Sequence, residues 1–393
     1  MYRILAYSMT YLAMGHQESW GFEKIKNKIE YLAFKINTNL ILIFAPMTLV
    51  SQIINILFNY SKLSFDSITS IFVLIPVATL INIQLLTAQT KKYKSITERF
   101  FRHFHLCHIK DQNNFVKKIT VETELYIRIA VGSFIILTLT DGALWVISPA
   151  ITSLKYKDLI INNKTRTFET SIHLWYPFDY LHNYRNWQMV HSLNVYLVAN
   201  ASSIIAFANG IYACIIFHLI GHIKILKYKI SSQKWDGLNN LEVKKTLTDI
   251  IKYHIFVKEI KNDIQDVFGI SVCGGYGTNL FVDSLVLYQI MEGSKESAPV
   301  YVVLGIVLIL QIVTVSIIIE QIPMESEDLP SIVYNIPWED MSVPNKKHVL
   351  LMLTMSQTPM QIIMPGGLRA GVRLMISVFK TTFSYYVMLK QSK

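Results

Sequence analysis

The sequence predicts an all-α, polytopic membrane protein with seven transmembrane helices, a cytoplasmic N-terminus, an extracellular C-terminus and a break in the last helix. Three observations predict this class: an apolar composition, apolar blocks long enough to cross a bilayer, and basic residues concentrated in alternate loops. A spanning helix needs about 20 mostly apolar residues, and lysine and arginine are enriched in cytoplasmic loops.

The composition narrows the class of protein. Of the 393 residues, 52% are hydrophobic and 16% are charged, and the mean hydropathy is +0.35. An ordinary soluble domain carries about 25% charged residues, so the composition excludes a disordered protein and argues against a soluble enzyme. The net charge of +10 is typical of basic cytoplasmic loops rather than of a nucleic-acid site. The three cysteines lie far apart and form no C-x-x-C pair, which argues against a disulfide scaffold or a zinc module.

Six apolar blocks are predicted to span the membrane. The sixth is the most apolar, and the fifth is the least apolar because it contains Asp266, Asp283 and a glycine-rich run at 273–277. We interpret that run as a helix-packing surface rather than a phosphate-binding loop, since the G-x-x-x-x-G-K-[ST] pattern is not present. The six blocks are 36–58, 68–90, 129–151, 193–220, 264–291 and 298–322.

The seventh candidate, 348–389, is interrupted by Pro359, Pro365, Gly366 and Gly367. Because Pro-Gly-Gly does not continue a helix easily, we expect one helix before the break and a spanning helix over about 368–389. Polar groups such as Lys380 in a spanning helix usually face a bundle interior or a water-filled path. The last helix is therefore the best candidate for a pore wall, with Arg369 and Arg373 at the cytoplasmic interface.

The distribution of charge predicts the orientation. With the N-terminus inside, the inner segments hold 23 basic residues and the outer segments hold 9. This bias follows the positive-inside rule. Two sequons, at Asn59 and Asn163, then fall outside and are expected glycosylation sites.

The predicted organisation has four parts and one prominent loop. The loop at 152–192 is rich in aromatic residues and is expected to cover the outer face as a lid. The four parts are a cytoplasmic N-terminal segment (1–35), a six-helix bundle with an outer ligand pocket and helical cytoplasmic extensions at 222–262 (36–322), a cytoplasmic anchor (323–358), and the pore-lining last helix with the extracellular C-terminus (359–393).

A ligand pocket is predicted in the outer half of the bundle. On the third span, one helix face carries, at i, i+3, i+4, i+7 spacing, Thr138, Asp141, Gly142 and Trp145. Other spans reach similar depth with Phe72, Ile75, Asn200, Ser203, Phe207, Tyr301 and Leu304. An apolar, aromatic lining with few polar groups suits a small volatile hydrophobic ligand. Ordinary bundle core is the alternative for each of these residues, and hydrogen bonding between helices is the alternative for the intramembrane acids Asp141 and Asp283.

The sequence predicts neither a catalytic nor a metal centre. Four candidate metal ligands lie close together, at His103, His105, Cys107 and His108. Their spacing matches no standard zinc framework, and no nucleophile elbow or metalloprotease motif is present. We therefore expect a protein that is not an enzyme and that uses no cofactor.

The last sixty residues contain a distinctive set of motifs. They are Tyr334-x-x-x-Trp338, Lys346-Lys347, Ser356-Gln357-x-Pro359, Gly366-Gly367 and Phe379-Lys380-x-x-Phe383-Ser384-Tyr385-Tyr386-x-x-Leu389. This set, together with seven spans and an inverted topology, resembles the insect odorant receptor family. The chain looks like an odour-tuning subunit, because it lacks the long second inner loop of the shared co-receptor.

The resemblance implies an odorant-gated, non-selective cation channel in which four subunits surround a pore lined by the last helix. The implied pore or gate positions are Lys380, Ser384, Met388, Gln391 and Ser392. Ser392 and the nearby Lys390 depart from an apolar gate, and a ring of lysines would repel cations. The resemblance therefore predicts a heterotetramer with the co-receptor, an odorant ligand and contacts with membrane lipid but not nucleic acid, located in the plasma membrane of an olfactory sensory neuron dendrite.

Three other classes compete with this interpretation. A gustatory-type receptor channel is the sister group, but its closing Thr-Tyr-x-x-x-x-x-Gln-Phe motif is not matched. A secondary transporter predicts inverted repeats with broken helices in matched halves, whereas this sequence predicts one broken helix. A membrane-embedded enzyme would need a catalytic constellation.

Overall fold

The computed structural model describes residues 2–15, 28–60, 65–163, 166–293 and 298–391. Within these ranges the chain is helical, apart from loops and one isolated antiparallel bridge between Ile363 and Arg369, so the all-α prediction is confirmed. The α-helices are α1 (Tyr2–Tyr11), α2 (Lys28–Asn59), α3 (Phe65–Ala88), α4 (Lys91–Arg99), α5 (Asn114–Lys155), α6 (Lys157–Asn163), α7 (Tyr184–Ser231), α8 (Asn240–Glu292), α9 (Ala298–Ser326), α10 (Leu329–Tyr334), α11 (Val343–Ser356) and α12 (Val372–Gln391).

Six helices of the described chain are long and apolar enough to cross a membrane: α2, α3, α5, α7, α8 and α9. They correspond to the six predicted spans, although α3 ends at Ala88, two residues before the predicted end. Helix α8 is the least apolar of the six. The protein is therefore a multi-pass membrane protein. Helix α12 has 20 residues and is less apolar, so the seventh span and the orientation of the bundle stay predictions.

Three of these helices are much longer than a bilayer requires. Helices α5, α7 and α8 have 42, 48 and 53 residues. At about 1.5 Å per residue they measure roughly 60 to 80 Å, about twice the 30 Å hydrocarbon core. Helix α7 is the most buried of the six, and α8 begins at a capping box in which the Asn239 side chain and Glu242 satisfy each other's backbone N–H groups.

The segment between α4 and α5 packs tightly against the C-terminal half of α7. A Cβ atom at Gly221 would lie only 2.6 Å from Leu106 Cδ1, so a larger residue there would push this segment away. His222 Nε2 lies 2.7 Å from the carbonyl oxygen of Phe104. The Cys107 thiol donates a hydrogen bond to Glu124 at 3.0 Å. Burial and this bond raise the pKa of Cys107 to about 12, so the thiol stays protonated.

Residues 2–15 pack against the bundle. Helix α1 contacts α2 and α7, and Leu5, Met9 and Met14 are almost fully buried. The turn that follows α1 is held by the side-chain amide of Gln89, which donates a hydrogen bond to the carbonyl oxygen of Ala13 at 2.6 Å. The sequence predicts only a cytoplasmic segment here, because a single short helix carries too weak a periodic signal.

The break before α12 is a short hairpin. Met364 N donates to Leu368 O at 2.8 Å, and the chain reverses through Gly366 and Gly367, whose φ angles are +82° and +78°. These left-handed conformations favour glycine. Because the hairpin pairs residues up to Ala370, α12 begins at Val372. The predicted start at residue 368 is therefore wrong by four residues.

Candidate ligand-binding cavity

A cavity of about 160 Å³ lies between α2, α3, α5, α7 and α9, under the loop that precedes α7. We call it the larger cavity. Most of its lining is aliphatic or aromatic, with a few polar side chains distributed around it. The lining residues are Ile41, Phe44, Ala45, Thr48, Gln52, Val73, Leu74, Val77, Ala78, Ile81, Asn82, Thr138, Asp141, Gly142, Trp145, Ile172, Tyr196, Leu197, Val198, Asn200, Ala201, Ser202, Ile204, Ile205, Leu304, Val307, Leu308 and Gln311.

One face of α5 forms a wall of this cavity. The four residues at i, i+3, i+4, i+7 spacing, from Thr138 to Trp145, all line it. A Cβ atom at Gly142 would collide with the side chain of Ser202 on α7. Gly142 therefore permits the close approach of α5 and α7 that closes this side of the cavity.

Trp145 is held in place from two sides. Its indole Nε1 donates a hydrogen bond to the carbonyl oxygen of Ser171 at 2.8 Å. Its ring meets the ring of Tyr301 edge-to-face, with the centroids 5.6 Å apart. Tyr301 thus lies behind Trp145, outside the lining, and fixes the orientation of the indole.

The loop before α7 is held by side-chain hydrogen bonds from α7 and α2. Ile172 lines the cavity, and its carbonyl oxygen accepts a hydrogen bond from Asn194 of α7 at 3.1 Å. The next carbonyl, that of His173, accepts one from Asn55 of α2, also at 3.1 Å. Removal from water lowers the pKa of His173 to about 4, so this imidazole is neutral at physiological pH.

Two residues of the lining carry a buried oxygen without a partner. Gln52 Oε1 and Asp141 Oδ1 have no hydrogen-bond partner among the described residues. A buried polar group without a partner is costly, so a bound molecule that donates a hydrogen bond would gain from meeting either oxygen. The cavity thus combines apolar shape with a small number of polar contacts, as ligand sites commonly do.

The predicted pocket residues divide into two groups. Six of the eleven line the larger cavity: Thr138, Asp141, Gly142, Trp145, Asn200 and Leu304. The other five lie outside its lining. Phe72 is exposed, the Ser203 hydroxyl bonds to its own helix at Ala199, Tyr301 packs behind Trp145, Phe207 packs against the main core, and Ile75 is partly buried on a neighbouring face of α3.

The contribution of α2 to the cavity was not predicted from the sequence. Phe44, Thr48 and Gln52 line the cavity, and they recur at a spacing of four, which places them on one helix face. The available signal was the pair of polar residues Thr48 and Gln52 at i, i+4 spacing. On α3 the cavity meets Val73 and Val77 rather than Phe72, because the rotation of that helix depends on its neighbours.

The predicted pore positions on α12 share one face. Lys380, Ser384, Met388 and Gln391 are all exposed in the single chain. The opposite face is buried: Thr382 packs against α8, where the Ser284 hydroxyl donates to its carbonyl oxygen at 3.3 Å. Ser392 and the side chain of Asn163 lie outside the described residues, and Asn59 is the last residue of α2.

Comparison with known proteins identifies the protein family. The model of the 7tm odorant receptor family matches residues 65–383, most of the chain. The chain belongs to the insect odorant receptor family. The family resemblance is therefore confirmed, and a receptor family is favoured over the transporter and enzyme alternatives.

The curated relatives of this odorant receptor are distant. It is 21% identical over 229 residues to putative odorant receptor 85d of Drosophila melanogaster, covering 57% of this chain and 55% of the relative. It is 23% identical over 151 residues to odorant receptor 49a of the same species, covering 37% of each chain. The chain thus matches about half or less of the length of these relatives.

Solved structures match the odorant receptor over its full length. The olfactory receptor OR5 from Machilis hrabei aligns with a TM-score of 0.78 at 14% identity, covering 100% of this chain and 98% of that one. The same receptor in complex with eugenol aligns with a TM-score of 0.76 at 14% identity, covering 100% and 99%. At this identity the likeness shows a shared fold.

Proposed function

We propose that this protein is an odour-tuning subunit of an odorant-gated, non-selective cation channel, which binds a small volatile hydrophobic molecule in the larger cavity. The observation that carries the proposal is the cavity itself, apolar and aromatic, in a chain of the odorant receptor family. An engineered cavity of about 150 Å³ in another protein holds benzene, so about 160 Å³ accommodates a single-ring odorant. The solved complex of a structural relative with eugenol supports the same ligand class.

The ligand packs against aromatic and aliphatic walls and makes few polar contacts. Trp145 presents its ring to the cavity while its indole N–H is occupied by Ser171, so its contribution to the ligand is apolar. Gln52 and Asp141 supply acceptors for a hydroxyl group. Such a lining selects for volatile molecules that are mostly hydrocarbon and carry at most one or two donors.

A continuous set of contacts joins the cavity to the start of α12. Helix α9 lines the cavity at Leu304 and Gln311, and its Ser316 hydroxyl lies 2.7 Å from the hydroxyl of Tyr276 on α8. Tyr276 in turn accepts a hydrogen bond from Gly371 N. A ligand that binds better when α9 is displaced would move this set of contacts and favour an open pore. It shifts the equilibrium only by its differential affinity for the two states.

The pore runs along the exposed face of α12 in an assembly of four subunits. Lys380 and Ser384 on that face are wall positions, with Met388, Gln391 and Ser392 near the gate. Four copies of Lys390 around one axis would repel cations. The subunit therefore pairs with the co-receptor, whose own last helices supply the rest of the gate.

The protein lies in the plasma membrane of olfactory sensory neurons with its N-terminus inside. The excess of basic residues in the inner segments, 23 against 9, supports this orientation. Asn59 and Asn163 are then extracellular glycosylation sites. The cytoplasmic anchor is formed by 323–358 together with the extensions at 222–262, and the remaining surface of the spans contacts lipid.

The experiment is an odorant panel that includes eugenol, applied under voltage clamp to cells expressing this chain with and without the co-receptor. We expect odorant-evoked cation current only from the co-expressed pair. Trp145→Ala should shift the dose–response curve to higher concentration, whereas Phe72→Ala, an exposed position outside the cavity, should leave it unchanged. Strong current from this chain alone contradicts the pairing, and equal curves for the two variants contradict the site.

A further inference from the structure

A second cavity, of about 50 Å³, lies between α3, α7, α8 and α9, with Met14 from the N-terminal segment on one side. We call it the smaller cavity. Gln311 of α9 lines both cavities. The residues from α8 include Gly275, Tyr276 and Asn279.

Three polar atoms on residues that line this cavity, one from each of three helices, have no hydrogen-bond partner among the described residues. They are Gln84 Oε1 of α3, Tyr212 Oη of α7 and Asn279 Oδ1 of α8. Their residues are 6%, 4% and 3% exposed, so bulk water does not solvate them. Buried polar groups in native proteins nearly always have a partner, and three in one cavity indicate a shared one.

The size and chemistry of the smaller cavity specify that partner. A cavity needs about 10–15 Å³ of this kind of volume for each water molecule, and a buried water makes about three hydrogen bonds. About 50 Å³ therefore holds roughly three to five waters and is much smaller than the cavity of about 150 Å³ that binds benzene. The two amide oxygens accept hydrogen bonds and the tyrosine hydroxyl both donates and accepts, which suits water.

We infer that the smaller cavity is a hydration site in which a cluster of about three waters bridges α3, α7 and α8. The site also adjoins the start of α12, because Tyr276 lines it and bonds to Gly371. If the proposed channel function holds, the packing of the water cluster around Tyr276 contributes to the free-energy difference between the closed and open states. The hydration site itself does not depend on that function.

A pair of glycines on α8 provides a matched test. A Cβ atom at Gly275 or at Gly277 meets no heavy atom within 4 Å, but only Gly275 lines the smaller cavity. Alanine raises helix propensity equally at both positions. In a hydrated site Gly275→Ala displaces bound water, so the Tm of the full-length protein in detergent should fall below that of Gly277→Ala. In a dry cavity the added methyl group fills a void, and Gly275→Ala should have the higher Tm.

Tyr212→Phe tests the same inference without filling space. If the hydroxyl has no partner, its removal relieves a buried polar group, and the Tm should rise. If the hydroxyl binds the water cluster, the Tm should stay unchanged or fall. A rise in Tm for Tyr212→Phe, or a Tm for Gly275→Ala at or above that of Gly277→Ala, overturns the inference. These readouts use no odorant, so their failure is distinguishable from a failure of the proposed channel function.

Discussion

The hydroxyl of Tyr276 lies 3.3 Å from the backbone nitrogen of Gly371 and accepts its hydrogen bond, which fastens the end of the hairpin to α8. One residue later, the backbone N–H of Val372 donates to the Glu320 carboxylate of α9 at 3.1 Å. The start of α12 is therefore held by side chains of two helices. One of these, α9, also lines the larger cavity, so the cavity wall and the base of α12 share one helix.

Gly371→Ala should destabilise the base of α12. Gly371 has a φ of +140°, and a Cβ atom there would collide with the Glu320 carboxylate. Backbone strain of this kind costs about 1–3 kcal/mol, so we expect a lower Tm and a smaller maximal odorant-evoked current. Gly132→Ala is the control, since a Cβ atom at Gly132 on α5 meets open space. Equal effects of the two substitutions would contradict the role of Gly371.

Glu320→Ala should destabilise the protein more than Arg369→Ala. The ion pair between Arg369 and Glu320 spans 3.1 Å but is partly exposed, and such pairs contribute about 0–1 kcal/mol. Glu320→Ala removes in addition the acceptor for Val372 N, a loss comparable to that of a helix N-cap, about 0.5–2 kcal/mol. Chemical unfolding of both variants measures the difference. A larger effect of Arg369→Ala would show that the ion pair dominates.

Gln52→Leu should lower the potency of hydroxyl-bearing odorants selectively. Gln52 is buried in the lining of the larger cavity, and its Oε1 has no protein partner. One hydrogen bond contributes about 0.5–1.5 kcal/mol net, which corresponds to a shift in potency of roughly twofold to tenfold. Each active odorant is compared with its analogue lacking the hydroxyl, which serves as the control. Equal shifts for both ligands would exclude a hydrogen bond to Gln52.

The loop over the larger cavity should become less stable at acidic pH. The pKa of His173 falls from 6.5 to about 4 on folding, so the folded loop favours the neutral imidazole. Between pH 6.5 and pH 4 the unfolded chain binds a proton at this imidazole and the folded loop does not. The free energy of unfolding is therefore highest above pH 6.5 and decreases as the pH falls towards 4, by roughly 1.4 kcal/mol per pH unit. Limited proteolysis of the loop between pH 7 and pH 4 measures the effect. His173→Gln should flatten the pH dependence, whereas His182→Gln, in the same loop, should preserve it.

The sequence predicted helices and membrane spans better than it predicted helix faces. Long apolar runs identify α2, α3, α5, α7, α8 and α9, because the bilayer demands a minimum apolar length. On α5 the polar pattern around Asp141 and Gly142 marked the face that lines the larger cavity. On α3 the run 71–78 is entirely apolar, so Phe72 and Val73 were indistinguishable until packing fixed the rotation of the helix.

Contacts between distant segments could not be predicted from sequence patterns. The hairpin before α12 depends on pairing of Ile362 with Ala370, and the burial of α1 depends on a groove made by several other helices. The unpartnered oxygens of Gln84 and Asn279 come from helices nearly two hundred residues apart in the chain. Each of these features needs the three-dimensional arrangement, whereas the break at Pro365-Gly366-Gly367 needs only local backbone chemistry.

The most direct measurement is a structure of the channel complex with the odorant that activates it most strongly in the panel. We predict ligand density inside the larger cavity, in contact with Trp145 and Leu304, and a displacement of α12 relative to the structure without ligand. Density for the activating odorant at another site, with the larger cavity filled by protein side chains, would contradict this prediction.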